Sequence, residues 1–226
     1  MRTAQQVLGS PAALRLGLVL FCAAVMWGLP LTFPRDKGPT ELDRDLAEPI
    51  HTALDSHPDI YRALVIPSNG YILIPLLLVA ACWFGYRGER WRAATMVVVP
   101  ELAVAVNAWL LKPLWERPLH DYLAYPSGHT VHLVAIAATF LVLIDASRAR
   151  AVVLALAAVS LCAAAIGMIG LGYHLPTDIV GGIAAAIAMV TVLCWAMPGR
   201  HARTHSRPRA ARRAACSRAH PSPRPE

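Results

Sequence analysis

Charged residues are scarce in this chain. They make up 15% of its 226 residues, whereas soluble domains usually carry about a quarter. The deficit is uneven, because long apolar runs alternate with short charged breaks, and 56% of all residues are hydrophobic. This pattern excludes an ordinary soluble domain. It predicts an integral membrane protein in which one helical bundle uses nearly the whole chain.

The chain also lacks a cysteine pattern that would indicate a disulfide framework or a metal site. Four of the five cysteines lie inside apolar runs, and the fifth, Cys216, lies in a basic C-terminal segment. Their spacing does not pair them. We therefore interpret the four as thiols buried in the membrane region. These four are Cys22, Cys82, Cys162 and Cys194.

The formal net charge of +7 does not indicate nucleic-acid binding. Eight of the 21 basic residues lie in the last 27 positions, from Arg200 to Arg224, among many Pro, Ala and Ser residues. We expect residues 199–226 to form a disordered cytoplasmic tail. Two roles stay open for this tail: it sets the membrane topology, or it also binds anionic lipid.

Six apolar runs are long enough to predict membrane-spanning helices, since roughly 20 helical residues cross a hydrocarbon core of about 30 Å. They cover about residues 13–33, 71–86, 93–111, 128–144, 151–171 and 177–197. The first run is long for a secretory signal and no convincing cleavage site follows, so we expect it to be retained. The prediction is an all-α polytopic protein, with a short lead (1–12), one six-helix membrane domain (13–198) and the tail.

The segment 34–66 is polar and acidic on balance. Within it Asp43, Leu46, Ile50 and Leu54 recur at helical spacing, which predicts a short amphipathic helix on the membrane surface.

The distribution of arginine predicts the orientation of the bundle. Breaks 87–92 and 147–150 and the tail carry the arginine excess. By the positive-inside rule both termini are then cytoplasmic, and segments 34–66 and 112–127 face outward. We therefore expect a multi-pass protein of the cytoplasmic membrane.

Polar residues concentrate in three short motifs, and the first to consider is Pro126-Ser127-Gly128-His129 at the start of the fourth run. Serine is a strong helix N-cap, and the free backbone N–H groups of a first helical turn bind anions. We predict that Ser127 and the N–H groups of Gly128 and His129 hold phosphate oxygens. His132, one turn further on, is interpreted as a hydrogen-bonding residue inside the bundle.

The second motif is His174 and Asp178, spaced i, i+4 around Pro176, which suits a first helical turn. A carboxylate that accepts the Nδ1 proton leaves the lone pair of Nε2 free as a nucleophile or base. A protonated His129 in the same pocket would supply the matching acid. The alternative is a helix-capping Asp178 beside an unrelated histidine.

The third motif, 112–118, supplies positive charge through Lys112 and Arg117. Each cation on a phosphate oxygen forms a charge-assisted hydrogen bond. The alternative is that both side chains extend to lipid headgroups, as is common at the ends of spans.

Along the chain the order is Lys112 to Pro118, then Pro126 to His129, then His174 to Asp178. In that order between spans, the three motifs resemble the type 2 phosphatidic acid phosphatase superfamily, which includes lipid phosphate phosphatases and bacterial undecaprenyl-diphosphate phosphatases. The resemblance covers about residues 70–197. It implies a six-helix bundle with an outward-facing site and a reaction that needs no metal or other cofactor. By this resemblance His174 attacks phosphorus to form a phosphohistidine, Asp178 orients it, and His129 protonates the leaving group. The phosphate would be bound by Lys112, Arg117, Ser127 and Gly128.

Two positions depart from the family pattern. A second Arg-Pro pair is usual where this chain has Leu119 and His120, and a Ser-Arg pair is usual where it has Gly167 and Met168. Each lost charge-assisted bond is worth roughly 1.5–3 kcal/mol. His120 or Arg62 are the candidates to replace the missing cations.

Three functions are compatible with these motifs. The first is a phosphatase for a polyprenyl diphosphate or monophosphate, or for a phosphatidate-type lipid, at the outer face of the cytoplasmic membrane. The second is a weakened family member that binds or transports a lipid phosphate. The third is a zinc hydrolase, because the residue types of His129, His132, His174 and Asp178 suit zinc.

Overall fold

The computed structural model describes residues 11–196 of the chain. Its first helix, α1, covers Pro11–Gly28 and continues as a 3-10 turn over Leu29–Thr32. The predictions for the lead and for the tail after residue 196 lie outside the described residues.

The polar segment after α1 contains two helices. Helix α2 covers Glu41–Leu54, and α3 covers Pro58–Val65, with a 3-10 turn at Ile66–Ser68. The start of α2 is fixed by a capping box, in which the Thr40 hydroxyl accepts from the Asp43 N–H and the Asp43 carboxylate accepts from the Thr40 N–H. Such a box satisfies amide groups that the first turn otherwise leaves unpaired.

Two long helices then form a pair. Helix α4 covers Gly70–Tyr86, and α5 covers Arg90–Val106. A π-helical turn at Asn107–Leu111 and the short α6, Lys112–Trp115, extend α5 without a break. Because of this extension, the third span ends four residues later than the apolar run predicts, and Lys112 is helical.

A tight hairpin connects this pair to the rest of the bundle. Strand β1, Pro118–Leu119, runs antiparallel to β2, Tyr122–Leu123, with Leu119 opposite Tyr122. The last three helices are α7 at Gly128–Leu143, α8 at Ser147–Gly170 and α9 at Pro176–Ala196.

Five helical stretches among residues 11–196 are long and apolar enough to cross a membrane. They are Ala12–Thr32, Pro58–Tyr86, Arg90–Trp115, Ser147–Gly170 and Pro176–Ala196. The apolar α7 is shorter, at 16 residues, which corresponds to about 24 Å of helix.

The core between these helices has two parts. One joins α4, α5 and α7 through side chains such as Leu77, Met96 and Ile136. The other joins α3, α8 and α9 through Val65, Met168 and Ile179, and the inward face of α2 packs against it through Ala47 and Ile50. Helix α2 therefore packs against protein through Ala47 and Ile50, whereas Leu46, which the sequence pattern placed on the apolar face, is exposed.

The two arginine-rich breaks meet at one end of the bundle. Arg92 at the start of α5 donates to Asp145, which precedes α8, over 2.7 Å, and to Glu89 over 3.2 Å. Both breaks therefore lie at the same end, and the three polar motifs lie at the opposite end.

Candidate active site

A cavity of about 540 Å³ opens at the end of the bundle away from the arginine-rich breaks. It is lined by residues of α4, α5, α6 and α7, together with the hairpin and the segment just before α9. Its lining residues are Ser68, Gly70, Val104, Lys112, Tyr122, Gly128, His129, His132, Tyr173 and His174. The cavity therefore collects residues from all three polar motifs.

Ser127 caps α7 as the sequence predicts. Its Oγ accepts from the N–H of Thr130 over 3.4 Å, and its own N–H donates to the Asp178 carbonyl over 3.0 Å. The Ser127 side chain is fully buried behind the cavity wall. Gly128 and His129, by contrast, line the cavity at the open first turn of the helix.

Two glycines in α9 let the segment before α7 approach that helix closely. A Cβ atom at Gly181 would lie 2.2 Å from the Tyr125 ring, and one at Gly182 would lie 2.9 Å from the Ser127 carbonyl oxygen. Tyr125 is also held from the other side, because its hydroxyl donates to the Met26 carbonyl in α1. The position of the α7 N-terminus thus depends on small residues more than 50 positions later in the chain.

His129 and His174 both line the cavity, with their ring centroids 5.9 Å apart. The planes of the two rings are inclined by 72°. One tetrahedral phosphoryl group fits between two imidazoles at this separation. Residues 45 positions apart in the sequence are thereby able to act on one atom.

Asp178 lies beside His174 but does not hydrogen-bond to it. The distance from His174 Nδ1 to Asp178 Oδ2 is 3.8 Å, and Nδ1 has no hydrogen-bond partner among the described residues. Asp178 Oδ2 instead accepts from the Leu175 N–H over 2.9 Å, as a helix-capping group. Since Nδ1 faces Asp178, Nε2 on the far side of the ring faces the cavity.

Arg117 is fully buried, and its N–H groups donate to protein acceptors. Its guanidinium bridges two carboxylates, Asp43 at 2.9 Å and Asp178 at 2.8 Å, and also donates to the Thr177 hydroxyl. The remaining donors meet the carbonyls of Lys37 and Gly38. In this arrangement no N–H of Arg117 is directed to the cavity, so its predicted contact with phosphate stays a prediction.

Asp43 completes this buried cluster from helix α2. Its carboxylate accepts from Arg117 and from both the N–H and the hydroxyl of Thr177 at the start of α9. Burial raises the pKa of this carboxyl, but hydrogen bonds from Thr40, Thr177 and Arg117 outweigh that effect and hold the pKa below its ordinary value. The carboxylate is therefore kept ionised at neutral pH.

Lys112 is the basic residue that lines the cavity among the described residues. Its Nζ donates to the Leu123 carbonyl and lies 5.9 Å from the centroid of the Tyr122 ring. The Tyr122 hydroxyl in turn donates to the Tyr173 carbonyl, next to His174. Burial raises the pKa of the Tyr122 phenol, so it is a neutral donor at physiological pH.

The structure also locates the positions that depart from the family pattern. Leu119 is half-buried in the hairpin, and Met168 is fully buried with its sulfur 3.9 Å from Ser127 Oγ. His120 is exposed, and its ring is stacked with the ring of Tyr122 at a centroid distance of 6.3 Å. Arg62 is exposed and pairs with Asp59. Of the two candidate replacements, His120 is thus the one beside a cavity-lining residue.

The residues considered for zinc do not form a compact ligand set. No group of three or more His, Cys, Asp and Glu within residues 11–196 has the arrangement of a metal site. His132, one of the four, lies 3.1 Å through Nε2 from Glu101 Oε1.

Several residues at the site were not identified as functional from the sequence. The role of Asp43 was missed because it contacts a helix 134 residues away, and no local pattern reports such a contact. Tyr122 and Tyr173 were missed because they are aromatic residues between helices, and nothing in the sequence around them indicates a functional role. Glu101 did carry a signal, since an ionisable residue inside a span is unusual.

Comparison with known proteins supports the resemblance. A solved structure, the first transmembrane PAP2 type phosphatidylglycerolphosphate phosphatase from Bacillus subtilis, shares 17% identity with this chain and has a TM-score of 0.61. The match covers 83% of this chain and 98% of that one, and at this identity it shows a shared fold. No curated protein matches the chain.

The family model of the PAP2 superfamily matches residues 106–202. This segment contains Lys112, Arg117, the Ser127–His129 turn, His174 and Asp178. The chain is therefore a mostly helical, multi-pass membrane protein whose residues 106–202 match the PAP2 superfamily, and it is similar to the type 2 phosphatidic acid phosphatases.

Proposed function

We propose that the protein is a phosphatase that hydrolyses a phosphorylated lipid through a phosphohistidine intermediate. The substrate class is a polyprenyl diphosphate or monophosphate, or a phosphatidate-type lipid; the structural neighbour acts on phosphatidylglycerolphosphate. The observation that carries the proposal is the pair His129 and His174, whose ring centroids lie 5.9 Å apart in a cavity that Lys112 also lines.

The proposed reaction consists of two displacements at phosphorus. In the first, His174 Nε2 attacks, a P–N bond forms, and the P–O bond to the leaving group breaks with its electron pair on that oxygen. His129 donates a proton to this oxygen. In the second, water attacks phosphorus, His129 takes a proton from it, and the P–N bond breaks to return the electron pair to His174.

Asp178 and the buried cluster stabilise the nucleophile. As the P–N bond forms, positive charge develops on the His174 ring. The cluster of Asp43, Asp178 and Arg117 carries two carboxylates and one guanidinium, so it has one negative charge in excess beside that ring. The 3.8 Å gap between His174 Nδ1 and Asp178 closes by less than about 1 Å when substrate binds, because catalytic hydrogen bonds often tighten only in the substrate complex.

The phosphate is bound by Lys112 and by the backbone N–H groups of Gly128 and His129, which are unpaired within the first turn of α7. Ser127 and Arg117 are buried behind the residues that line the cavity, so they contribute indirectly. Ser127 fixes the start of α7, and Arg117 fixes the position of Asp178. If substrate displaces a carbonyl from Arg117, its guanidinium gains access to the phosphate as the family resemblance implies.

We further propose that α7 completes a six-helix bundle, that both termini are cytoplasmic, and that the cavity opens at the outer face of the cytoplasmic membrane. The support is the position of the arginine-rich breaks at the end of the bundle opposite the cavity. Positive residues favour the cytoplasmic side.

A second candidate function is binding or transport of a lipid phosphate without turnover. It is favoured by the commitment of Arg117 to protein acceptors and by the apolar Leu119 and Met168 at positions where the family usually has arginine. This candidate predicts saturable lipid binding and no covalent phosphoenzyme.

The test is phosphate release by the purified protein from a panel of lipid diphosphates and monophosphates. His174→Ala should abolish release, and His57→Ala, which changes an exposed loop histidine, should not. Rapid acid-free quenching with labelled substrate should trap a base-stable phosphohistidine in the unmodified protein alone. Full activity of His174→Ala would refute the mechanism, and activity lost with strong chelators would favour a metal-dependent one.

A further inference from the structure

An imidazole–carboxyl pair lies inside the membrane region, beyond the residues assigned to the reaction. His132 Nε2 and Glu101 Oε1 are 3.1 Å apart. The His132 side chain is 12% exposed and the Glu101 side chain is 47% exposed. An ionisable residue within a span is costly to keep in the membrane, so such residues usually serve a function.

The pair connects the cavity to the lipid-facing surface. His132 lines the cavity one helical turn after Gly128, the residue whose backbone N–H we propose binds the phosphate. Glu101 lies in the middle of the Arg90–Trp115 span, beside the exposed apolar side chains of Val98 and Leu102. A polar path therefore runs from the two catalytic histidines, past His132, to a carboxyl at the side of the bundle.

The free polar atom of this pair is an acceptor. Glu101 Oε1 is occupied by His132, and Oε2 has no hydrogen-bond partner within residues 11–196. Carboxylate oxygens accept hydrogen bonds. A ligand group that satisfies Oε2 must therefore be a donor, and a hydroxyl is the donor that lipid alcohols carry.

We propose that His132 and Glu101 form a subsite that binds a hydroxyl group on the alcohol part of the lipid substrate. This inference rests on the proposed phosphatase function. With phosphorus between His129 and His174, the leaving alcohol extends towards the bilayer along the same path. A glycerol-type alcohol with a free hydroxyl satisfies Glu101, whereas a prenyl alcohol or a fully acylated glycerol leaves the carboxyl without a partner.

This proposal makes the protein selective among phosphorylated lipids. A site that hydrogen-bonds a substrate hydroxyl discriminates strongly against analogues that lack it, because its own polar group is then left unpaired. The preferred class is a phosphomonoester whose alcohol carries a hydroxyl close to the ester oxygen.

The experiment compares two substrates that differ in one atom group, with the full-length protein in detergent or vesicles. One is a phosphatidylglycerol phosphate with its free hydroxyl, and the other is the same lipid with that hydroxyl converted to a methyl ether. We expect kcat/KM to be at least tenfold higher for the hydroxyl form. In Glu101→Gln and Glu101→Leu this ratio should fall towards one, while in Glu116→Gln, a carboxyl that is exposed in the loop, it should stay at the wild-type value.

A binding arm separates failure of this inference from failure of the proposed function. The affinities of hydroxyl and methyl-ether phosphonate analogues, which cannot be hydrolysed, are measured with the same three variants. If no substrate is turned over but the hydroxyl analogue still binds about tenfold more tightly through Glu101, the phosphatase proposal fails and the subsite stands. If turnover is robust but hydroxyl and ether forms are equal in both assays, the subsite is refuted and the phosphatase stands.

Discussion

At the scale of single residues, the main feature is that Arg117 serves the architecture of the site from within the protein. Its planar guanidinium reaches Asp43, Asp178 and Thr177 at once, which a lysine cannot do because its ammonium is a point charge on a flexible chain. The cluster joins helix α2 to the first turn of α9. Asp178, which we propose orients His174, is therefore itself held by a segment that lies outside the long spans.

The first prediction concerns Asp43. Replacing Asp43 by Asn leaves Arg117 short of one carboxylate in a fully buried place, and breaking a buried pair costs about 3 kcal/mol. This loss should lower the Tm by roughly 6–12 °C and reduce kcat, measured by thermal unfolding and phosphate release in detergent. Asp45→Asn, which alters an exposed carboxyl on the same helix, should leave both values unchanged; an equal effect of the two substitutions would contradict the cluster's role.

The second prediction follows from the lowered pKa of Asp43. A carboxyl whose pKa is lower in the folded state stabilises that state at pH above its unfolded pKa, near 3.9, and stops doing so as pH falls through the folded value. The difference in Tm between the wild type and Asp43→Asn should therefore be full at pH 7 and shrink below about pH 4. A difference that is constant from pH 7 to pH 3 would show that the carboxylate charge is not responsible.

The third prediction separates the two basic residues by what each one binds. Arg117→Lys should lower the Tm, because a single ammonium cannot reach all the acceptors of the guanidinium and leaves carboxylates and carbonyls unpaired. Lys112→Gln should raise the inhibition constant for inorganic phosphate by about tenfold or more, because it removes one charge-assisted bond, with a small change in Tm. The opposite result, a phosphate effect for Arg117 without loss of stability, would return Arg117 to direct substrate binding.

These residues also show what the sequence could and could not predict. The placement of His129 and His174, 45 positions apart, in one cavity was expected from the family resemblance. The capping by Ser127 followed from short-range spacing, since N-caps are local features. The hydrogen bonding of Arg117 to protein acceptors could not be predicted in this way, because its partners lie at positions 37, 38, 43, 177 and 178. A contact between such distant segments leaves no periodic trace in the chain.

At the scale of elements, the site depends on how closely α9 and the segment before α7 approach each other. The Tyr125 ring lies against the bare backbone at Gly181, and its hydroxyl is bonded to α1. The ring is thus fixed on two sides and cannot move away from an added side chain. Any residue larger than glycine at 181 must displace either α9 or the start of α7.

The fourth prediction tests this contact. Gly181→Ala places a Cβ atom 2.2 Å from the Tyr125 ring, and overpacking of this kind costs about 1–3 kcal/mol. The Tm should fall and phosphate release should fall with it, because His129 is carried on α7. Gly17→Ala in α1, where no atom lies within 4 Å of the added Cβ, should leave the Tm unchanged or raised. A harmless Gly181→Ala would mean that the two segments adapt to each other.

The helices themselves were largely predictable, because long apolar runs have few alternatives to membrane helices. The predicted runs 128–144 and 151–171 correspond to Gly128–Leu143 and Ser147–Gly170. The end of the third run was predicted too early: a π-helical turn and α6 carry the helix on to Trp115. Helix propensity does not stop where apolar character does, so hydropathy alone underestimates such an end.

At the scale of the whole molecule, the charge distribution and the site define opposite ends of one bundle. The cavity and the buried Arg117 cluster lie at one end, and the arginine-rich breaks, joined by Arg92 and Asp145, lie at the other. Only the second end satisfies the positive-inside rule for a cytoplasmic surface. The proposed orientation rests on both features together, and a single labelling experiment tests it.

The fifth prediction is the result of that experiment. In a background with all cysteines replaced, Ser56→Cys introduces an exposed thiol between α2 and α3 at the cavity end, and Ser147→Cys introduces one at the arginine-rich end. The substitutions are isosteric and change no charge, so they leave the topology signal intact. A membrane-impermeant maleimide added to intact cells should label position 56 at once and position 147 only after the membrane is opened. The reverse pattern would place the cavity in the cytoplasm and would require the lipid phosphate to be presented from the inner leaflet.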